Sequence, residues 1–110
     1  MSRYINRIKV KDPNILTDKI SAFLQEKGFV LGQRHAETVW WKKGFNCLHH
    51  IIIQYETNAV IVTAFITYSD LLLGGETEAG INGFVAGFGK WPLKKIVRAL
   101  EKTLAAQIST

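Results

Sequence analysis

Strand-like runs fill the middle of the chain, and two flanking segments space their apolar residues at the helical period. Residues 47–56 (CLHHIIIQYE) and 59–69 (AVIVTAFITYS) are the strongest strand segments, rich in β-branched and aromatic side chains. Between them Thr57 and Asn58 leave room for a tight turn, where Asn tolerates the left-handed conformation, so a hairpin is predicted. In the second strand Val60, Val62, Ala64 and Ile66 share one face, and Ile61, Thr63, Phe65 and Thr67 share the other. A strand apolar on both faces belongs in the centre of a sheet.

The flanks follow the same logic. Residues 3–10 (RYINRIKV) form a strand with Arg7 and Lys9 on the face of Ile5, a pattern suited to a sheet edge. Asp12 then offers an N-cap, Pro13 suits the first helical position and Gly28 suits the stop. Between them Leu16, Ile20, Phe23 and Leu24 recur at helical spacing, leaving Asp18, Lys19, Glu26 and Lys27 toward water. Residues 29–31 and 37–42 read either as one irregular strand, with Gly32 a bulge, or as two short strands. Residues 43–46 and 70–75 read as loops, and 77–85 as a last strand weakened by glycine. Pro92 opens a second helix with Leu93, Ile96, Val97, Leu100 and Leu104 as its apolar stripe. The order β-α-β-β-β-(β)-α predicts a single α+β domain over residues 1–110. Its antiparallel sheet has four to five strands, with two helices packed on one face. The alternative is a more open sheet whose free face joins a second copy.

Composition narrows the class. A chain of 110 residues, 47% hydrophobic and 21% charged, buries a core without a disulfide or metal staple. The single Cys47 points to a reducing compartment. Residues 59–73 are too short, and too often interrupted by Thr63, Thr67 and Asp70, to span a bilayer. With charges where a leader would place its apolar core, a cytoplasmic location is expected.

Charge is unevenly spread. Residues 1–43 carry nine Lys/Arg and four acids, 44–89 carry four acids and no Lys/Arg, and 90–110 carry five Lys/Arg and one acid. If the middle is the sheet, the cationic surface is expected elsewhere, with positive charge confined to the periphery.

Several residue sets invite a chemical reading. Six of the nine glycines lie in residues 74–89, ahead of Lys90. The segment superficially matches a phosphate-binding loop, but its spacing carries one residue too many, and Trp91-Pro92 stand where Ser or Thr would hold magnesium. As an RNA-recognition strand it lacks the basic residue, since Asn82 stands there, and Val85, Ala86 and Gly87 break the aromatic pattern. Lys94, Lys95, Arg98 and Lys102, with Lys90 just before them, line one helix face opposite the apolar stripe and offer an anion-binding row for nucleic acid or an anionic membrane. Cys47 and His49 share a strand face, and with His35 they are the one conceivable zinc set, while His50 points away; no paired ligand spacing supports it, and no metal or cofactor is assigned. Trp40 and Trp41 are successive, so one faces the core and one the opposite surface. With Phe45, the outward ring marks a partner-binding patch, unless residues 70–80 cover that face.

The run Gly75-Glu76, then Gly80-Ile81-Asn82-Gly83-Phe84-Val85, then Lys90 and Leu93-Lys94-Lys95 with Glu101-Lys102-Thr103-Leu104, resembles an uncharacterised bacterial family of small α+β proteins, as does Trp41-Lys42-Lys43-Gly44. The chain departs from that family at Asn82, where an acid is usual, at Ala86, where glycine is usual, and at Trp91-Pro92, where Pro-Lys-Lys enters the helix. Longer members carry a zinc ribbon whose cysteines are missing here. The resemblance implies a fold and no activity.

The leading expectation is a non-enzymatic binding or regulatory domain, homodimeric or holding a protein partner through Trp40, Trp41 and Phe45. Its rivals are electrostatic binding of nucleic acid or anionic membrane through the basic helix, and a small-molecule carrier with a pocket between sheet and helices.

Overall fold

The computed structural model describes residues 3–44, 47–70, 75–79 and 90–106; at 69, 70, 75–79 and 90–92 it describes the backbone. The hairpin at its centre joins β4 (Cys47–Glu56) to β5 (Ala59–Asp70), in register from Leu48↔Thr67 to Glu56↔Ala59. On the other side of β5 lies β1 (Tyr4–Lys9), paired from Tyr4↔Ala64 to Lys9↔Ala59. Residues 29–42 resolve into two strands, β2 (Val30–Arg34) and β3 (Glu37–Gly44). The reason is the tight turn at His35 and Ala36, both at positive φ (51° and 44°). Gly32 sits in uninterrupted register opposite Val39, so it forms no bulge.

The result is an α+β fold with an antiparallel sheet of five strands abreast, β1-β5-β4-β3-β2. A further short strand, β6 (Gly75–Ala79), extends the sheet by pairing with the end of β5, from Ile66↔Ala79 to Asp70↔Gly75. Two positions expected in loops, Asp70 and Gly75, are therefore paired, while 80–85 of the expected last strand lie outside the described residues. β3 likewise runs on to Gly44, past the expected loop start at Lys43.

Asp12 caps as expected, its Oδ1 accepting from the Asn14 amide at 3.1 Å, but what it caps is a 3₁₀ turn, Pro13–Leu16. That turn leads into α1 (Thr17–Glu26). The helix stops at Gly28 (φ 92°), with the amides of Gly28 and Phe29 bonded back to the carbonyls of Gln25 and Leu24 at 3.0 and 2.9 Å. Only glycine takes that φ at low cost, and the two bonds satisfy carbonyls the helix end would orphan. The second helix, α2 (Lys90–Ala105), begins two residues before Pro92. Proline is tolerated there because amides of the first turn have no intrahelical acceptor.

One cluster of buried side chains draws on Leu16, Ile20 and Leu24, on Leu93, Val97, Leu100 and Leu104 of α2, and on Ile8, Trp40, Ile51, Val60, Val62, Ala64 and Ile66 of the sheet. The sheet residues among these share one face by register. On the opposite face Val39, Ile52 and Phe65 form a second, smaller cluster. From Val62 to Ile66 every residue of β5 is buried, as its two apolar faces predict.

Candidate functional site

The basic face of α2 is built by the helical period. Leu93, Val97, Leu100 and Leu104 are at most 1% exposed, and burying four such side chains contributes about 6–12 kcal/mol before ordering entropy is counted. That anchored stripe leaves Lys95, Arg98 and Lys102 exposed and Lys94 half-buried beside them. Lys90 is the first residue of the helix, and its side chain lies outside the described set. Among the described residues, no carboxylate pairs with Lys95, Arg98 or Lys102.

The one acid of the helix is withdrawn. Glu101 accepts from the Tyr4 hydroxyl and, through the same Oε2, from Nδ2 of Asn6 at 2.6 Å. Both donors stand on the helix-facing side of β1, where register places Tyr4 and Asn6 opposite Ala64 and Val62. Burial, then the hydrogen bond to Glu101 and the charge of that carboxylate, push the Tyr4 phenol up to about 12, while Asn6 and the nearby Arg98 pull the other way. Polar side chains on the covered side of an edge strand were the sequence signal for this clamp, and reading β1 by its outer residues missed it.

Of the expected aromatic patch, the structure describes the two tryptophans. Trp40 is 8% exposed and belongs to the helix-side core, Trp41 lies on the opposite face at 38% exposure, and Phe45 is outside the described residues. The parity of β3 separates the two indoles. Neither is the far face open at its centre: Phe65, Val39, Thr67 and His50 are buried. His50 stacks on Phe65, its direct cross-strand neighbour, at 4.8 Å between centroids and 13° between planes, and its Nε2 shares a 2.8 Å hydrogen bond with Thr67.

The expectation of a charge-poor sheet fails on this face as well. The guanidinium of Arg3 lies 4.0 Å from the Phe65 centroid and that of Arg34 lies 5.6 Å away. Arg3 also pairs with Glu37 at 3.1 Å, and Arg7 with Glu56 at 2.6 Å. The central strands bring no cation themselves, but the long side chains of Arg34 in β2 and of Arg3, just before β1, reach over them.

Cys47 and His49 do converge. A Cβ built on Gly44 would stand 2.5 Å from Nε2 of His49 and 3.0 Å from Sγ of Cys47, so the missing side chain is what admits both. His35 sits in the turn at the other end of β3 and does not join them. Burial pushes the Cys47 thiol up, away from the thiolate that metal binding or attack requires, and no group of three metal-ligating residues occurs among the described residues. The glycine-rich segment lies largely outside the described residues. No helix among them is long and apolar enough to cross a membrane.

These features define an α+β domain with an antiparallel sheet and an outward cationic helix face. Comparison with family models, curated proteins and solved structures gave no match to the chain.

Proposed function

We propose that the protein is a small non-enzymatic binding domain that holds nucleic-acid phosphates along the outer face of α2. In this reading the two helices form one layer over the sheet, and α2 is its exposed rim. The observation that carries the proposal is the clamp on Glu101: the only carboxylate in the helix faces inward, held by neutral donors, beside a row of Lys95, Arg98 and Lys102. A merely solvated face typically mixes acids with bases at i, i+3 and i, i+4.

Magnitudes favour phosphate over membrane insertion. An interfacial helix must bury its apolar stripe in lipid. Freeing that of α2 forfeits about 6–12 kcal/mol of core burial, against about 1 kcal/mol gained per basic residue at an anionic surface. Three cations over eight residues form instead a row about 10 Å long, suited to successive backbone phosphates.

The test is fluorescence anisotropy with a labelled DNA duplex across a salt series. Three phosphate contacts give a slope of log K against log salt of about −2.7, or roughly 40-fold weaker binding between about 50 and 200 mM salt. Lys95→Gln, Arg98→Gln and Lys102→Gln together bring the slope toward zero. An unchanged slope, or stronger association with anionic vesicles than with the duplex, overturns the proposal.

A further inference from the structure

The two rims of the sheet are not equally protected. Sheet edges expose unpaired amides and carbonyls, and proteins guard them with lysine, proline, bulges or a covering element. β1 carries Arg7 and Lys9, both exposed, and lies beside α2. Among the described residues β2 has no such guard. Among the described residues it pairs with β3 alone, in continuous register from Val30↔Trp41 to Arg34↔Glu37. Val30 and Leu31 are 51% and 57% exposed, on opposite faces. The only charge in the strand, Arg34, has its guanidinium drawn inward over Phe65.

We infer that β2 is an interaction edge, and that its occupant is the β2 strand of a second copy of this chain, added antiparallel about a two-fold axis through Gly32. Self-complementarity argues for this occupant. A two-fold at the middle residue is the one self-register that uses all five positions, setting Gly32 against the second copy's Gly32, Leu31 against its Gln33 and Val30 against its Arg34. The Trp41 indole already lies across Gly32, where a Cβ would come within 2.9 Å of Nε1. With glycine also opposite, nothing stands between the two indoles, and each Val30–Trp41 patch continues over the joint. The charges are compatible too: the two Arg34 residues fall at opposite ends of the pairing, about 14 Å apart along the strands and beyond the Debye length at physiological salt. Such an axis keeps the helices of both copies on the same side of one continuous sheet. A five-residue joint is small, so association in the range of tens to hundreds of micromolar is expected, as for weak interfaces.

Sedimentation equilibrium of the full chain from about 10 to about 500 μM, a range chosen for such a weak interface, tests this directly. The expected result is a monomer–dimer equilibrium, with Trp41 less accessible to quencher in the dimer. Leu31→Lys, a guard placed at an already exposed position, is expected to leave the circular dichroism spectrum unchanged and hold the chain monomeric. Ile15→Lys, at a similarly exposed position off the sheet, is expected to leave dimerisation unchanged. The register is read by Leu31→Cys with Gln33→Cys in a Cys47→Ser background. Facing residues lie within disulfide reach, so oxidation yields a covalent dimer, whereas Val30→Cys with Gln33→Cys yields none. A wild-type chain that stays monomeric throughout overturns the inference, as does a dimer that survives Leu31→Lys without the predicted cross-link. The joint lies at the far edge from β1, so its failure leaves the phosphate reading of α2 untouched.

Discussion

Removing the Tyr4 hydroxyl tests the clamp that seats α2 on β1. Tyr4→Phe keeps the ring and its packing against the core but deletes one of the two donors to Glu101. A hydrogen bond to a charged acceptor contributes about 1.5–3 kcal/mol, and water reaching this half-buried group brings the expected loss to about 1–2 kcal/mol. For a domain of this size each 1 kcal/mol lowers Tm by about 4–8 °C. Urea and thermal unfolding followed by tryptophan fluorescence read this directly. Linkage adds a signature that simple loss of packing would not produce. The phenol is raised from 10.0 to about 12, so the native state holds that proton more tightly than the unfolded chain. The associated stability is fully present below pH 10 and is lost as pH rises toward 12. Wild type therefore weakens more through that window than Tyr4→Phe does, and the gap between them closes. Tyr55, also raised by burial, is common to both proteins and cancels in the difference. Equal stability at neutral pH, or a gap that stays constant from pH 9 to pH 12, would refute the reasoning.

Three further substitutions probe the frame around the site. Gly44→Ala drives a methyl into His49 Nε2, and overpacking of this kind costs about 1–3 kcal/mol in urea unfolding; adding His49→Ala should recover part of the loss, and a silent Gly44→Ala would show that the imidazole does not sit there. Gly28→Ala forces an L residue to a φ of 92° and should lower stability by about 1–2 kcal/mol, with the end of α1 exchanging its amides faster; unchanged exchange would remove the helix-stop argument. Arg3→Met keeps the aliphatic stem but loses the cation over Phe65 and the pair with Glu37, for an expected loss of about 0.5–2 kcal/mol that a double-mutant cycle with Glu37→Gln assigns to the pair or to the ring.

Local signals carried most of the fold. The apolar runs of β4 and β5, the Asn58 turn, the Asp12 cap and the Gly28 stop each act within a few residues, and each is found where the sequence places it. What escaped depended on distance in space. His35 and Ala36 adopt positive φ without glycine's freedom, so the turn dividing β2 from β3 had no residue-type marker. Arg34 belongs to β2 and Arg3 immediately precedes β1, and only sheet order brings both onto Phe65. Of the candidate residues, the α2 row was legible because helical period alone fixes it. Trp40 and Trp41 fall on opposite faces, as parity predicts, which leaves Trp41 as the outward ring, while Phe45 lies outside the described residues.

How the acids are engaged decides what the cations can do. Glu37 and Glu56 are held by arginines, and each such pair cancels one positive charge on the far face and at the rim of β1. Glu101 is held by a phenol and an amide, which both donate to its Oε2 without consuming a cation. On a bare helix it would stand within reach of Arg98, three residues earlier, and the natural outcome would be an ion pair within the helix. The clamp removes that competitor while Arg98 stays exposed. Net charge alone would not distinguish these arrangements, since a chain of the same composition with Glu101 paired to Arg98 would present one cation fewer along the row. Two neutral side chains on the covered side of an edge strand thus turn the Glu101 carboxylate toward β1, and their loss would free it to pair with Arg98 without any change to a lysine or arginine.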